Sequence, residues 1–241
     1  MKLAVCIAGA PRSIHREEVH KAFVHNMILP FCDGLCDQVS MFMILKNESF
    51  SRSVALRGRL YDNPQEKKVK TALAYLSGHV TNMHVEEWSA REYRSNCSSW
   101  QGRCTYEKTL ARAHVQSVVG QMHSWSWCSK GVAHYDWLIV TRPDVLFRSK
   151  MSSHEKWAMN VSMSDEDPRE RVMVVHKTHV RDIAQGWQRW NRCESLFKDM
   201  GCATQPETVL QKEANAIRVP SFNFGSPTFI REYAGDSFSE Y

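Results

Sequence analysis

Tyr135-Asp136-Trp137-Leu138-Ile139-Val140-Thr141 is the stretch on which the fold turns. Four apolar residues in a row, Trp137 to Val140, lie between acidic Asp136 and the breaker Arg142-Pro143-Asp144. So short a run, without alternation and with β-branched members, reads as a strand covered on both faces, as in the middle of a parallel sheet. A second such run opens the chain, Leu3-Ala4-Val5-Cys6-Ile7-Ala8, closed by Gly9 and Pro11. Met1-Lys2 before it and Ala8-Gly9-Ala10 after it also fit a short signal peptide with its cleavage box. Pro11 would follow that cut, a poor position for cleavage, so the strand is the preferred reading.

Working outward, Ile14 to Leu29 predicts a helix, with Val19, Phe23 and Met27 as its apolar stripe. Asp37 to Leu45 predicts a second strand, Lys67 to Leu76 a helix stopped by Gly78, and His79 to Val85 a third, less apolar strand. A long helix is expected from about Thr105 to Cys128, a strand over Arg171 to His176 and a helix over Asp182 to Met200. Pro206-Glu207 opens one more helix, and Ile217-Arg218-Val219 a short last strand. Strands alternate with helices throughout, the pattern of an α/β domain with a mostly parallel central sheet flanked by helices. No linker or repeat divides residues 1–241, which read as one domain with loop insertions near 86–103 and 149–170.

Composition narrows the function class. Thirty-one Lys and Arg against 26 Asp and Glu give a net charge of +5, and 43% of the 241 residues are hydrophobic. No polybasic block occurs, so nucleic acid is not an expected partner, whereas an anionic small molecule suits the balance. No apolar run approaches the roughly 20 residues of a membrane span. The eight cysteines contain no C-x2-C pair, which argues against zinc, and Cys97/Cys104 and Cys193/Cys202 bracket short segments as bridges or buried thiols. Sequons at Asn47, Asn96 and Asn160 allow a Golgi or ER lumen, while the lack of a convincing signal or anchor favours the cytoplasm.

Ligands of open α/β sheets bind beyond the carboxyl ends of the strands. Gly9-Ala10-Pro11-Arg12-Ser13 lies at one such end. Small residues there admit a ligand to the backbone, Arg12 can fork onto phosphate oxygens, and Ser13 can cap a helix whose N-terminus favours an anion. Neither the P-loop nor the dinucleotide glycine pattern is present. Thr141-Arg142-Pro143-Asp144 lies at the second end. A carboxylate beside an Arg at a buried strand's end can bind a dication that holds a diphosphate, or can simply lock a turn. Asp165-Glu166-Asp167 is a literal D-x-D, but no apolar strand precedes it, and it reads as a surface acidic run. His176 and His179 have no third ligand at suitable spacing, and Trp187 and Trp190 read as core.

Val5 to Ser13 followed by Tyr135 to Phe147 resembles a group of nucleotide-sugar glycosyltransferase-like proteins with a GT-A-type, Rossmann-like fold. Members open with an apolar strand into an sGxxR turn and carry a YDxxIxxRPDxxF block where the wider fold places its D-x-D metal motif. Pro206-Glu207 and Ile217 to Val219 match a later acidic helix and strand of the group. The resemblance implies transfer of a sugar from a nucleoside-diphosphate sugar to an acceptor hydroxyl, assisted by Mn2+ or Mg2+. It implies that Gly9, Arg12, Ser13 and Arg142 serve the donor and that Asp144 is the metal ligand. Glu207, or less directly Asp182, would be the base that deprotonates the acceptor. The chain departs from the wider fold in keeping R-x-D at 142–144, which bears on metal dependence. Two alternatives stand beside this reading. One is a catalytically degenerate binding domain of the same kind. The other is a sulfotransferase-like enzyme, since Ala10-Pro11-Arg12-Ser13 is similar to a phosphosulfate-binding turn, although Ile14-His15 replaces its usual Gly-Thr-Thr continuation.

Overall fold

The apolar runs form the strands they predict. A computed structural model describes residues 1–9, 13–46, 66–88, 127–128, 132, 134–156, 161–163, 172–180, 228–231 and 239–240. Within them the main sheet takes the order β3-β2-β1-β4-β7-β6, built from Asn82–Trp88 (β3), Gln38–Lys46 (β2), Lys2–Gly9 (β1), Trp137–Thr141 (β4), Met173–His176 (β7) and Val161–Met163 (β6). The first four strands are parallel; β7 runs against β4 and β6 against β7. A smaller sheet joins Val145–Leu146 (β5) to Thr228–Arg231 (β8) and Ser239–Glu240 (β9). This is an α/β architecture with a mostly parallel sheet. No described helix is long and apolar enough to cross a membrane.

Burial explains why β1 and β4 carry no alternation. Leu3 to Ala8 are all 0% exposed, and every residue of β4 is buried. One face bears Leu3, Val5, Ile7, Met41, Met43, Trp137 and Ile139. Three short helical elements cover it: α1 (Glu17–Ala22), a π-helix (Phe23–Ile28) and α2 (Leu29–Cys32). Phe23, Met27 and Phe31 of that run are fully buried against the sheet, each contributing on the order of 2 kcal/mol. The next helix, α3 (Glu66–Ser77), adds Leu76 to the same core. On the other face Phe42 meets Tyr135 and Trp127, and Cys128 is joined to Cys6 by a disulfide.

The helical run differs from the expectation over Ile14 to Leu29. It begins at Glu17, because the 13–16 segment closes as a turn, with Arg16 N–H donating to the Ser13 carbonyl at 2.9 Å. It continues to Cys32 despite Pro30, which can neither donate nor tolerate an i−4 carbonyl. The π-helix resolves that conflict. Leu29 N–H reaches back to the Val24 carbonyl, and the Asn26 carbonyl, which Pro30 cannot serve, takes the Met151 N–H at 2.7 Å. The run then ends at Asp33 and Gly34, both left-handed, with Cys32 and Cys36 bridged across the turn.

Three further expectations shift. The third strand starts at Asn82 because Gly78 to Thr81 turn the chain out of α3, the Gly78 N–H bonding to the Ala74 and Tyr75 carbonyls. Segment 149–170 is not only a surface excursion: Met151 is buried and Val161–Met163 forms the sheet edge. Residues 177–180 are already helical, ahead of the helix expected from Asp182. Trp127 and Cys128 are helical, as expected for the end of a 105–128 helix. The rest of that helix, the 182–200 and Pro206 helices and the 217–219 strand lie outside the described residues, as do Cys97, Cys104, Cys193, Cys202 and the 165–167 acids.

Candidate functional site

The strand order reverses between β1 and β4, since β2 and β3 lie to one side of β1 and β4 to the other. At such a point the connections leave the sheet in opposite directions and a crevice opens beyond the carboxyl ends of the strands. Gly9 and the Arg142-Pro143-Asp144 turn, both singled out in the sequence, sit at that point. In the ladder Ile7 pairs with Thr141, which puts Gly9 level with Pro143. A Cβ built on Gly9 would stand 3.2 Å from the Pro143 Cδ, so the two turns are in contact.

Gly9 is required there for two reasons. Its φ is +146°, where a side chain is strained, and Pro143 fills the space a side chain would take. Gly34 (φ +75°) has nothing within 4 Å of its hypothetical Cβ and lies nearer the left-handed helical φ, so a side chain there meets a milder backbone strain and no clash. Gly9→Ala is expected to destabilise the fold by about 3 kcal/mol, against about 1 kcal/mol for Gly34→Ala. Urea unfolding of the two variants reads the difference. Equal shifts would mean that the β1 and β4 turns do not press on each other.

Arg142 and Asp144 straddle Pro143 and form a two-pronged ion pair. Arg142 Nε donates to Asp144 Oδ1 at 2.9 Å and Nη2 to Oδ2 at 2.8 Å. The Asp144 side chain is 2% exposed and that of Arg142 17%, so the carboxylate is the more deeply buried of the two. Thr141, one residue back from Arg142, is 1% exposed, and its hydroxyl has no hydrogen-bond partner among the described residues. By strand alternation it stands on the Ile139 face, next to Ile7.

The remaining sequence candidates divide. Ser13 is fully buried, but it does not cap the helix: the N-cap is Arg16, without a side-chain cap bond. The first turn of that helix holds Glu17 and Glu18, whose charge works against an anion at the helix start. Arg12, Asp182 and Glu207 lie outside the described residues. Gly9, Arg142 and Asp144 are brought together at the strand ends.

Sequence reasoning missed Asn26. Its Nδ2 donates to the Phe147 carbonyl at 2.5 Å while its own carbonyl accepts from Met151, so it clamps the segment that follows Asp144. The legible signal was Pro30, four residues on, which leaves the Asn26 carbonyl without its helical donor.

At the opposite end of the sheet, Asp136 accepts from the Lys2 N–H at 2.9 Å and from Lys177 Nζ at 2.9 Å. The Lys2 hydrogen bond foremost, then Lys177, holds its carboxyl below the usual range. His176, packed edge-on to Trp137, is pushed below the ordinary imidazole value, chiefly by burial and then by the charge of Lys177. These groups tie the amino ends of β1 and β4 to the carboxyl end of β7 and lie away from the crevice.

A hard dication such as Mn2+ or Mg2+ requires accessible carboxylate oxygens. Both oxygens of Asp144 accept from the same guanidinium, a cation that opposes a second one, so the described geometry does not fit Asp144 as a metal ligand. Among the described residues no group of three or more His, Cys, Asp or Glu could hold a metal ion. No family model matches the chain, nor does any curated protein.

Proposed function

We propose that the chain is a GT-A-like glycosyltransferase that binds a nucleoside-diphosphate sugar at the β1/β4 crevice and transfers the sugar to an acceptor hydroxyl. The observation that carries the reading is the contact of the Gly9 turn with the Arg142-Pro143-Asp144 turn where the strand order reverses. A diphosphate there would be met by Arg142, a guanidinium whose orientation Asp144 sets. Arg12, three residues after Gly9 in the sequence, is the second phosphate contact in this reading, and Glu207 or Asp182 the acceptor base. Any metal dependence of the transfer would rest on carboxylates outside the described residues, and no step is assigned to Asp144 through a metal.

A second reading is favoured by one observation. Asp144 is buried under Arg142, as in a turn-locking pair, and that suits a degenerate domain that binds a nucleotide sugar without turnover. Two disulfides among the described residues support the lumenal alternative for compartment, since such bridges persist in oxidising surroundings.

Thermal unfolding with UDP-sugars, GDP-sugars and 3'-phosphoadenosine compounds, with and without Mn2+, tests the proposal. A bound donor at about a hundred times its Kd should stabilise the fold by roughly 2.7 kcal/mol. A shift with a nucleoside-diphosphate sugar is expected. Stabilisation only by the 3'-phosphoadenosine compound, or by none of the set, would overturn the reading. Donor binding with no hydrolysis or transfer would select the degenerate form.

A further inference from the structure

Away from the crevice, the π-helix and α3 bring three donor side chains together. His25, exposed on the π-helix, lies with its Nε2 3.0 Å from the Tyr75 hydroxyl near the end of α3. His79, also exposed, follows that helix and packs its ring 4.6 Å from the Tyr75 ring and 6.1 Å from that of His25, centroid to centroid. We propose that His25, Tyr75 and His79 form a binding site for a borderline transition-metal dication, Zn2+ or Cu2+.

The chemistry selects that class of ion. Two imidazole nitrogens and one phenol oxygen suit Zn2+ and Cu2+, whereas Mg2+ and Ca2+ take oxygen ligands throughout. The hydrogen bond between His25 and Tyr75 carries a proton that an ion at the same position replaces, and the proton is released to solvent on binding. Water completes the coordination, since both imidazoles are at the surface.

The backbone around the site is fixed. Gly78 N–H closes onto the Ala74 and Tyr75 carbonyls, and His79 N–H donates to the Leu76 carbonyl at 3.0 Å. His79 therefore sits at the carboxyl end of a 12-residue helix, where the dipole favours positive charge. His20 supports Tyr75 from beneath. Its ring is 5.1 Å from the phenol, and its Nδ1 is engaged with the Ile14 carbonyl at 3.0 Å, so it orients rather than ligates. Lys21, one turn before His25, is paired with Glu17, which compensates the nearest cationic charge on that element.

Titration of the full chain with Zn2+ alone, followed calorimetrically, reads the site. The wild type is expected to bind one more equivalent than the His25→Ala/His79→Ala double variant, and each single variant to lose at least about tenfold in affinity at that site. Tyr75→Phe should weaken binding less than either histidine change. Unchanged stoichiometry and affinity in the double variant would overturn the proposal. Chemical mapping supplies a readout that needs no substitution: Zn2+ should protect His25 and His79 together from diethyl pyrocarbonate, while exposed His84 and His134 stay reactive. Equal modification of His25 and His79 with and without Zn2+ would overturn it as well.

Discussion

Cys6→Ala/Cys128→Ala is expected to lose about 5 kcal/mol of stability, against about 2 kcal/mol for Cys32→Ala/Cys36→Ala. The difference comes from the loop each bridge closes. The first spans 122 residues and the second four, and the entropy removed from the unfolded chain grows with that length. The native side points the same way. Cys6 and Cys128 are both 0% exposed, and the bridge ties the central strand to the helical residues on its far face. Cys36 is partly exposed, and its partner closes only the end of α2. Because a domain is commonly stable by 5–15 kcal/mol, the first double variant should stand near its unfolding midpoint in water. Urea unfolding of the two variants, with the oxidised wild type as reference, measures both losses. Equal losses would mean that the long bridge contributes nothing through loop closure.

That bridge also marks the limit of what the sequence told. Pairing cysteines by nearness along the chain points to Cys97 with Cys104 and Cys193 with Cys202, whereas Cys6 and Cys128 meet because the helical residues 127–128 lie over β1 and β2 on the far face of the sheet. Adjacency of that kind is a property of the tertiary packing, and nothing local encodes it. The two central strands were legible for the opposite reason. Burial on both faces leaves an uninterrupted apolar run, and β1 and β4 have one.

The edge strand β3 was harder to place. Asn82, His84 and Glu86 are exposed on it, so polarity gave no sign of where pairing begins, and the turn after α3 took up the first residues expected in the strand. Within the site, Gly9 and the Arg142-Pro143-Asp144 turn were legible as strand ends of the right chemistry. Their contact was not, because it follows from the reversal of strand order. Asp144 was legible as a carboxylate but not as one gripped by its own neighbour, since both the pairing of charges and the ligation of a metal suit an R-x-D sequence.

Asp144→Ala decides between those two roles, and its expected effect is a loss of about 3 kcal/mol, because removing one partner of a buried pair strands the other charge. The lower end of the usual range applies, as the Arg142 side chain is 17% exposed and retains some hydration. Asp144→Asn keeps the shape and one acceptor oxygen and should fall between Ala and wild type. Arg142→Leu/Asp144→Leu removes both charges and should recover most of the loss, since apolar replacement of a whole buried pair is often neutral. The cycle of single and double variants should therefore show a coupling above about 1 kcal/mol, and near-additive losses would sink the pair as a stabilising unit. Donor binding separates structure from function in the same set. If Asp144 acts by aiming Arg142 at a diphosphate, the Leu/Leu variant will be folded yet unable to bind a nucleoside-diphosphate sugar. Arg142→Lys, which keeps the charge but not the planar fork, will bind weakly. If Asp144 acts on a metal instead, Asp144→Asn will lose Mn2+-dependent donor binding while Arg142→Lys keeps it. A guanidinium held on both carboxylate oxygens favours the first pattern, because the carboxylate spends its charge on the cation already beside it.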